Sequence, residues 1–462
     1  MHKFPPRQAA ILALLLLAAG LTGGAPADSP VPAGPPAQPV MAGPEVSRPG
    51  PLPLYEVDLR PPDAWSRLQG VQADLVSIRP GFRALVLGWP GTLEALEAAG
   101  LCPILVTGDH GADRAAANGV VPRVSGLAAG ASAQAAPVPP FGEGSLAGFW
   151  TYDEVAALLD SLAANDTANI LTEVDTIGTS HLGIPLLAIG VAGPGKPLGS
   201  RPEVLFTSLT HAREPQGMQS ALYFLLALMN GYGADPLLTY LVDEREIWFV
   251  PVVNPDGYRI NEATWLEDGS YGYWRKNARN NDTNPKIDFH DGVDLNRNYG
   301  YQWGYDDIGS SPNPTSETYR GPYAFSEPET QAVRDFCLAH EFRTADNLHS
   351  FHEASLHPWG YISSETPDSA AFIRLGDAIT EADHYGHGHS GQILYPVNGD
   401  ATDWMYGDAS KPIILAFLTE IGNQDDEFWP SQARILPLAQ LTFSAHLAVA
   451  YAAGVYLAAD SL

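Results

Sequence analysis

Five segments after Phe149 alternate between helical and strand-like periodicity, and this alternation constrains the fold more than any other feature of the chain. They are "YDEVAALLDSLAAN" (152–165), "IPLLAIGVA" (184–192), "EVLFTSLT" (203–210), "QSALYFLLALMN" (219–230) and "EIWFVPVV" (246–253). Apolar runs of strand length, separated by amphipathic runs of helical length, predict an α/β domain whose sheet is covered on both faces. The expected architecture is a twisted central sheet of mixed parallel and antiparallel strands, spanning 146–462. No internal repeat is present.

The residues before this domain divide by composition. "MHKFPPR" is basic, "AAILALLLLAAGL" (9–21) is a short apolar core and "APA" (25–27) offers small residues for cleavage, so 1–27 reads as an export signal. Residues 28–53 are rich in Pro, Ala and Gly and read as an extended linker. From 54 to 124, strand-like and helix-like stretches alternate in a small α+β module. A second soft linker, "SGLAAGASAQAAPVPPFGEGS" (125–145), follows and invites proteolysis. This layout suggests that 54–124 is a pro-segment; a permanent accessory domain is the alternative.

The signal places the protein outside the cytoplasm, secreted or periplasmic. No later apolar stretch reaches the roughly 20 residues that spanning a bilayer needs. Lys+Arg 25 against Asp+Glu 53 gives a net charge of −28, which argues against nucleic acid or an anionic membrane as partner. The two cysteines, Cys102 and Cys337, read as buried free thiols in different domains. A monomer is the expectation, although no residue pattern specifies the oligomeric state.

In open α/β sheets, ligands bind beyond the carboxyl ends of the strands. "EVLFTSLT" is followed by His211 and Glu214, "TADNL" by His349, and "PIILAFLT" by Glu420. Pro215 suits the first position of a helix, so "HARE" reads as a tight strand-to-helix connection holding His211 and Glu214 close together. Two histidines and one glutamate can hold zinc with an open coordination position. Taken alone, however, H-x-x-E is a weak signal that occurs by chance, and an exposed salt-bridged turn is the plainer reading of it.

Seven blocks stand in one order along the chain: "HAREPQG" (211–217), "NPDGY" (254–258), "WRKNAR" (274–279), "GVDLNRNYGYQWG" (292–304), "HSFHEASLHPWGY" (349–361), "DATDWMYG" (400–407) and "AFLTEIG" (416–422). Together they resemble the zinc carboxypeptidases of the carboxypeptidase A and T family, over about 146–460. The resemblance implies a metallocarboxypeptidase acting on peptide or protein C-termini, with one catalytic Zn2+ held by His211, Glu214 and His349. It implies Glu420 as general base. Asn296 and Arg297 would anchor the substrate's terminal carboxylate, a task suited to the two-pronged geometry of guanidinium. Tyr395 matches a mobile tyrosine that closes over substrate. Thr402 matches the position setting side-chain preference; a small neutral residue there favours uncharged C-terminal side chains, with nearby Asp400 admitting some basic ones.

"WRKNAR" departs from the pattern. The oxyanion-stabilising arginine of carboxypeptidase A falls in a column occupied here by Ala278, so Arg279 is the expected substitute, with Arg275 or zinc alone as alternatives. "HYGHGHS" (384–390) reads as an exposed loop. "NNDTNPKIDFHDG" (280–292) reads as a polar surface loop, with Ca2+ binding a weaker alternative. Two other functions are alternatives: the same fold trimming cell-wall peptides, which these motifs do not separate from the first reading because both need Arg297, and an inactive zinc-holding relative, which the presence of Glu420, Asn296 and Arg297 argues against.

Overall fold

The computed structural model describes residues 50–119 and 139–456, apart from 72, 80 and 283. The export-signal stretch, and most of both linkers, lie outside the described residues. Two sheets organise the chain. The first has the order β2-β3-β1-β4, built from β1 (Leu54–Asp58), β2 (Asp74–Arg79), β3 (Arg83–Leu87) and β4 (Ile104–Thr107). All of its pairings are antiparallel. Val57, Leu59, Leu68, Val86 and Leu96 form its own small core, while Leu52, Leu54, Val76 and Trp89 join the core of the larger unit.

The second sheet has eight strands: β5 (Asp175–Thr179), β6 (Pro185–Val191), β7 (Glu203–Ser208), β8 (Glu246–Val250), β9 (Phe342–His349), β10 (Ala354–His357), β11 (Gly386–His389) and β12 (Leu415–Glu420). Their order is β11-β10-β12-β9-β7-β8-β6-β5. The inner run β12-β9-β7-β8 is parallel, while β5–β6, β6–β8 and β10–β12 pair antiparallel. The mixed sheet expected from the alternating pattern is therefore present.

Side chains alternate across a strand. Accordingly, Phe206, Phe249 and Phe417 enter one core with Leu222 and Leu225 of helix Pro215–Gly231 and Val449 of helix Phe443–Tyr456. Leu205, Trp248 and Ala416 face the opposite way. They pack with Phe336 of helix Pro328–Ala339 and Trp404 and Met405 of helix Ala401–Gly407. Both faces are covered, which is why β7 and β8 are buried along their whole length.

Three readings need correction. "HYGHGHS" is no exposed loop: 386–389 form β11, an edge strand parallel to β10, with His389 buried. Both cysteines are free, but Cys102 is exposed, because it lies just before β4 on the surface of the smaller unit. One helical stretch, Gln432–Val455, is long and apolar enough to cross a membrane, yet 61% of its apolar window is buried inside the fold. Its C-terminal part packs on β9, so its apolarity serves the core.

Candidate active site

β7, β9 and β12 are parallel neighbours, so their carboxyl ends emerge on one rim of the sheet. β9 ends on His349 and β12 on Glu420, paired in register across the ladder. After β7 the chain makes one turn through His211 and enters helix Pro215–Gly231, with Glu214 as the residue before its first-turn proline. The strand-to-helix connection expected for "HARE" is formed.

Nδ1 of His211 lies 2.9 Å from one Glu214 oxygen, and Nδ1 of His349 lies 2.9 Å from the other. The two Nδ1 atoms are 3.1 Å apart. One ligand atom from each of the three residues falls within 4.8 Å of the others, and all three side chains are buried. On its far side, His211 Nε2 sits 3.2 Å from Asp294 Oδ1. A carboxylate on the outer nitrogen fixes the tautomer and turns the Nδ1 lone pair inward, as in metal-ligating histidines. Two nitrogens and a carboxylate in this arrangement fit zinc. Burial pushes the His211 pKa down, with Arg275 adding to the effect. Both influences favour the neutral, ligating imidazole.

Glu420 stands beside this group with Oε2 unpartnered. Desolvation first, and the like charge of Glu214 second, push its carboxyl up to about 7, against the pull of His349 and Arg275. A carboxylate tuned in this way suits proton transfer near neutral pH.

Asp294 is the hub for the cationic wall. Arg275 donates to its Oδ2 through Nε (3.2 Å) and Nη2 (2.8 Å), and its Nη1 lies 3.8 Å from Glu214. Arg297 Nη1 is 3.8 Å from Asp294, and its Nε has no partner, so this guanidinium keeps a free donor. Asn296 accepts a bond from Ala401 N at 3.0 Å and lines the cleft with Arg297, Tyr395 and Glu420.

Arg279 is placed elsewhere. Its Nη1 bonds Glu327 at 3.0 Å, and it is not among the residues lining the cleft, whereas Arg275 is. The reason is the path of the loop: Asn277 N bonds Val293 O and Gly292 N bonds Arg279 O, which carries Arg279 toward the start of helix Pro328–Ala339. Thr402 is also displaced, buried within helix Ala401–Gly407 with its hydroxyl unpartnered; Asp400, not Thr402, lines the cleft.

The contacts that join the smaller unit to the cleft carry no signal in the sequence. Arg213, within "HAREPQG", donates from Nη1 and Nη2 to the two oxygens of Asp74 in β2, both at 2.6 Å. Trp65, Leu68, Asp74 and Val76 of the smaller unit wall the same cleft as His211, Glu214 and Glu420. Arg213 was visible in the motif; its partner, 139 residues away, carries no pattern that marks it.

Comparison with known proteins decides the family. Residues 155–445 match the zinc carboxypeptidase family. This chain belongs to that family. Carboxypeptidase A1 of Rattus norvegicus is 29% identical over 308 residues, 65% of this chain and 69% of the relative. A zinc carboxypeptidase of Saccharothrix mutabilis subsp. capreolus is 28% identical over 371 residues, 77% and 78% of the two chains. The solved carboxypeptidase A of Helicoverpa armigera superposes with a TM-score of 0.70 at 24% identity, covering 87% of this chain and 98% of that one. That span exceeds the larger unit, so the match reaches into the four-stranded unit. The protein is a metallocarboxypeptidase, an exopeptidase with one catalytic Zn2+.

Proposed function

We propose that this metallocarboxypeptidase is exported as a covered precursor and, once its N-terminal unit is removed, trims single residues from peptide C-termini with Glu420 as general base. The observation that carries the reading is the meeting of three strand ends, which brings His211, Glu214, His349 and Glu420 together on one rim.

Zinc, when bound by His211, Glu214 and His349, supplies Lewis-acid activation of water and of the scissile carbonyl. The remaining work belongs to the chain. Arg297, through its unengaged Nε, and Asn296 bind the terminal carboxylate, which restricts cleavage to the last peptide bond. Tyr395, partly exposed on the loop before Pro396, closes over the bound residue. Arg275, not Arg279, is the arginine facing the cleft. Its guanidinium, oriented by Asp294, meets the negative charge that develops on the carbonyl oxygen. Glu420 takes the proton from the attacking water and delivers it to the departing amine.

The smaller unit suits the role of pro-segment. It walls the cleft and occupies Arg213 with Asp74, and His110 Nε2 meets Glu427 at 2.9 Å at the rim of the same interface. The test compares the full chain before and after limited proteolysis between the two units, on peptides with free and amidated C-termini. Activity that rises on cleavage and requires a free carboxylate supports the reading. Equal hydrolysis of amidated ends, or activity unchanged by cleavage, defeats it.

A further inference from the structure

Behind the loop that carries Arg275 lies a second group of metal-capable side chains that the reaction does not use. The turn between β5 and β6 carries His181, and the start of helix Pro328–Ala339 carries Glu327 and Glu329. His181 Nε2 is 2.8 Å from Glu327 Oε2, and one ligand atom from each of the three lies within 4.8 Å of the others. Asn277 donates to Glu327 Oε2 at 2.8 Å and to Glu329 Oε2 at 3.0 Å. Arg279 holds the other Glu327 oxygen at 3.0 Å.

Two features mark this as a site and not simply an acidic helix start. Glu329 is 0% exposed, yet its Oε1 has no hydrogen-bond partner. Nor does Glu327 cap the helix, since its side chain accepts none of the free N–H groups there. A buried carboxylate oxygen without a partner is costly, and such groups are normally paired or bound to metal.

The charge count points the same way. Glu327, Glu329 and the neighbouring Asp256 are three buried carboxyl groups, and among the described residues the cationic partners bonded to them are Arg279 and, when protonated, His181. Asp256 is already engaged by Ser180 Oγ and Leu182 N, which leaves Glu327 and Glu329 to face His181.

We propose that His181 Nε2, Glu327 Oε2 and Glu329 Oε1 form a second binding site for a divalent transition-metal cation. Nitrogen with two carboxylate oxygens suits zinc or a neighbouring first-row ion better than calcium or magnesium, which prefer all-oxygen shells. The His181 side chain, 27% exposed, gives the ion its route from solvent. Once bound, the cation ties the β5–β6 turn to the helix start, and Asn277 passes that anchorage to the loop two residues after Arg275. This site is separate from the catalytic one and is tested independently of it.

The experiment uses the full chain loaded with Zn2+ alone, desalted, and assayed for zinc per chain by elemental mass spectrometry. Wild type is expected to retain two zinc ions, His349→Ala one, Glu329→Gln one, and the double variant none. Zinc is also expected to raise the melting temperature of His349→Ala by several degrees and to leave that of the double variant unchanged. Wild type retaining a single ion that His349→Ala abolishes overturns the proposal, as does Glu329→Gln retaining two. Should Glu329→Gln fail to fold, the wild-type and His349→Ala counts decide alone.

Discussion

Asp74 and Arg213 form a doubly bonded ion pair across the boundary between the two units, with both side chains almost fully buried. Arg213 immediately precedes Glu214, so the N-terminal unit grips the chain next to a proposed metal ligand. Removing one partner of a buried pair costs about 3–5 kcal/mol, because the other charge is left uncompensated. Asp74→Asn in the full chain should therefore loosen the cover. Hydrolysis of a small C-terminal substrate is expected to rise at least tenfold, without proteolysis. An unchanged rate in the folded variant would show that the pair does not hold the cleft shut.

The same pair sets a pH expectation. Burial alone would raise the Asp74 carboxyl, but Arg213 outweighs it and holds the group below its ordinary 3.8. A depressed carboxyl contributes its full docking stability above the ordinary value and loses it only as pH falls through the lowered one. The uncleaved chain should thus stay covered from pH 8 down to about 4 and open below that. The check is to incubate it at each pH, return it to neutrality with protease, and follow cleavage between the units. Rapid cleavage after incubation at pH 5 would assign the switch to another group.

Glu420→Gln keeps the size of the side chain and removes its basicity. General-base catalysis is commonly worth about 10²–10⁴ in rate, so kcat should fall by at least about a hundredfold. Zinc content should be unchanged, since Glu420 is outside the ligand group. A near-normal kcat with zinc bound would remove Glu420 from its role.

Much of this site was legible in the sequence, for a physical reason. Parallel strands deliver the residues at their carboxyl ends to one rim, so His211, Glu214, His349 and Glu420 could be grouped from position alone. The choice between Arg275 and Arg279 was not legible. Both sit in a loop without periodicity, and their directions depend on the bonds of that loop to Gly292 and Val293. Four-residue β11 is equally opaque, because Gly and His in "GHGH" carry no apolar alternation; its partner β10 makes it a strand. The Asp74–Arg213 pair depends on how two separate sheets meet, which no local pattern encodes.

The two arginines give opposite expectations. One donor to a developing oxyanion is worth about 10²–10³ in kcat. Arg275→Lys, which keeps charge and loses the two-pronged contact with Asp294, should reduce kcat by that order with modest change in KM. Arg279→Ala should leave kcat within about threefold, a small effect on the same scale. Steady-state kinetics on both variants checks this; the reverse pattern would return the role to Arg279.

Side-chain preference is expected to turn on Asp400. Its Oδ1 accepts from Asp403 N at 2.9 Å, while its Oδ2 has no partner and the residue lines the cleft near Arg297. Thr402 is buried in its helix and not among the cleft-lining residues, so a neutral threonine there does not by itself exclude a charged substrate side chain. An unpaired buried carboxyl oxygen gains a charge-assisted bond when a Lys or Arg side chain enters, and such bonds are about twice as strong as neutral ones. Peptides ending in Lys or Arg should accordingly be cleaved alongside those ending in Phe or Leu. Asp400→Asn should cut kcat/KM for the basic set by about tenfold or more, the effect of losing roughly 1.5–3 kcal/mol, and spare the apolar set. An equal loss on both sets would mean that Asp400 supports the fold of the pocket and does not read the substrate.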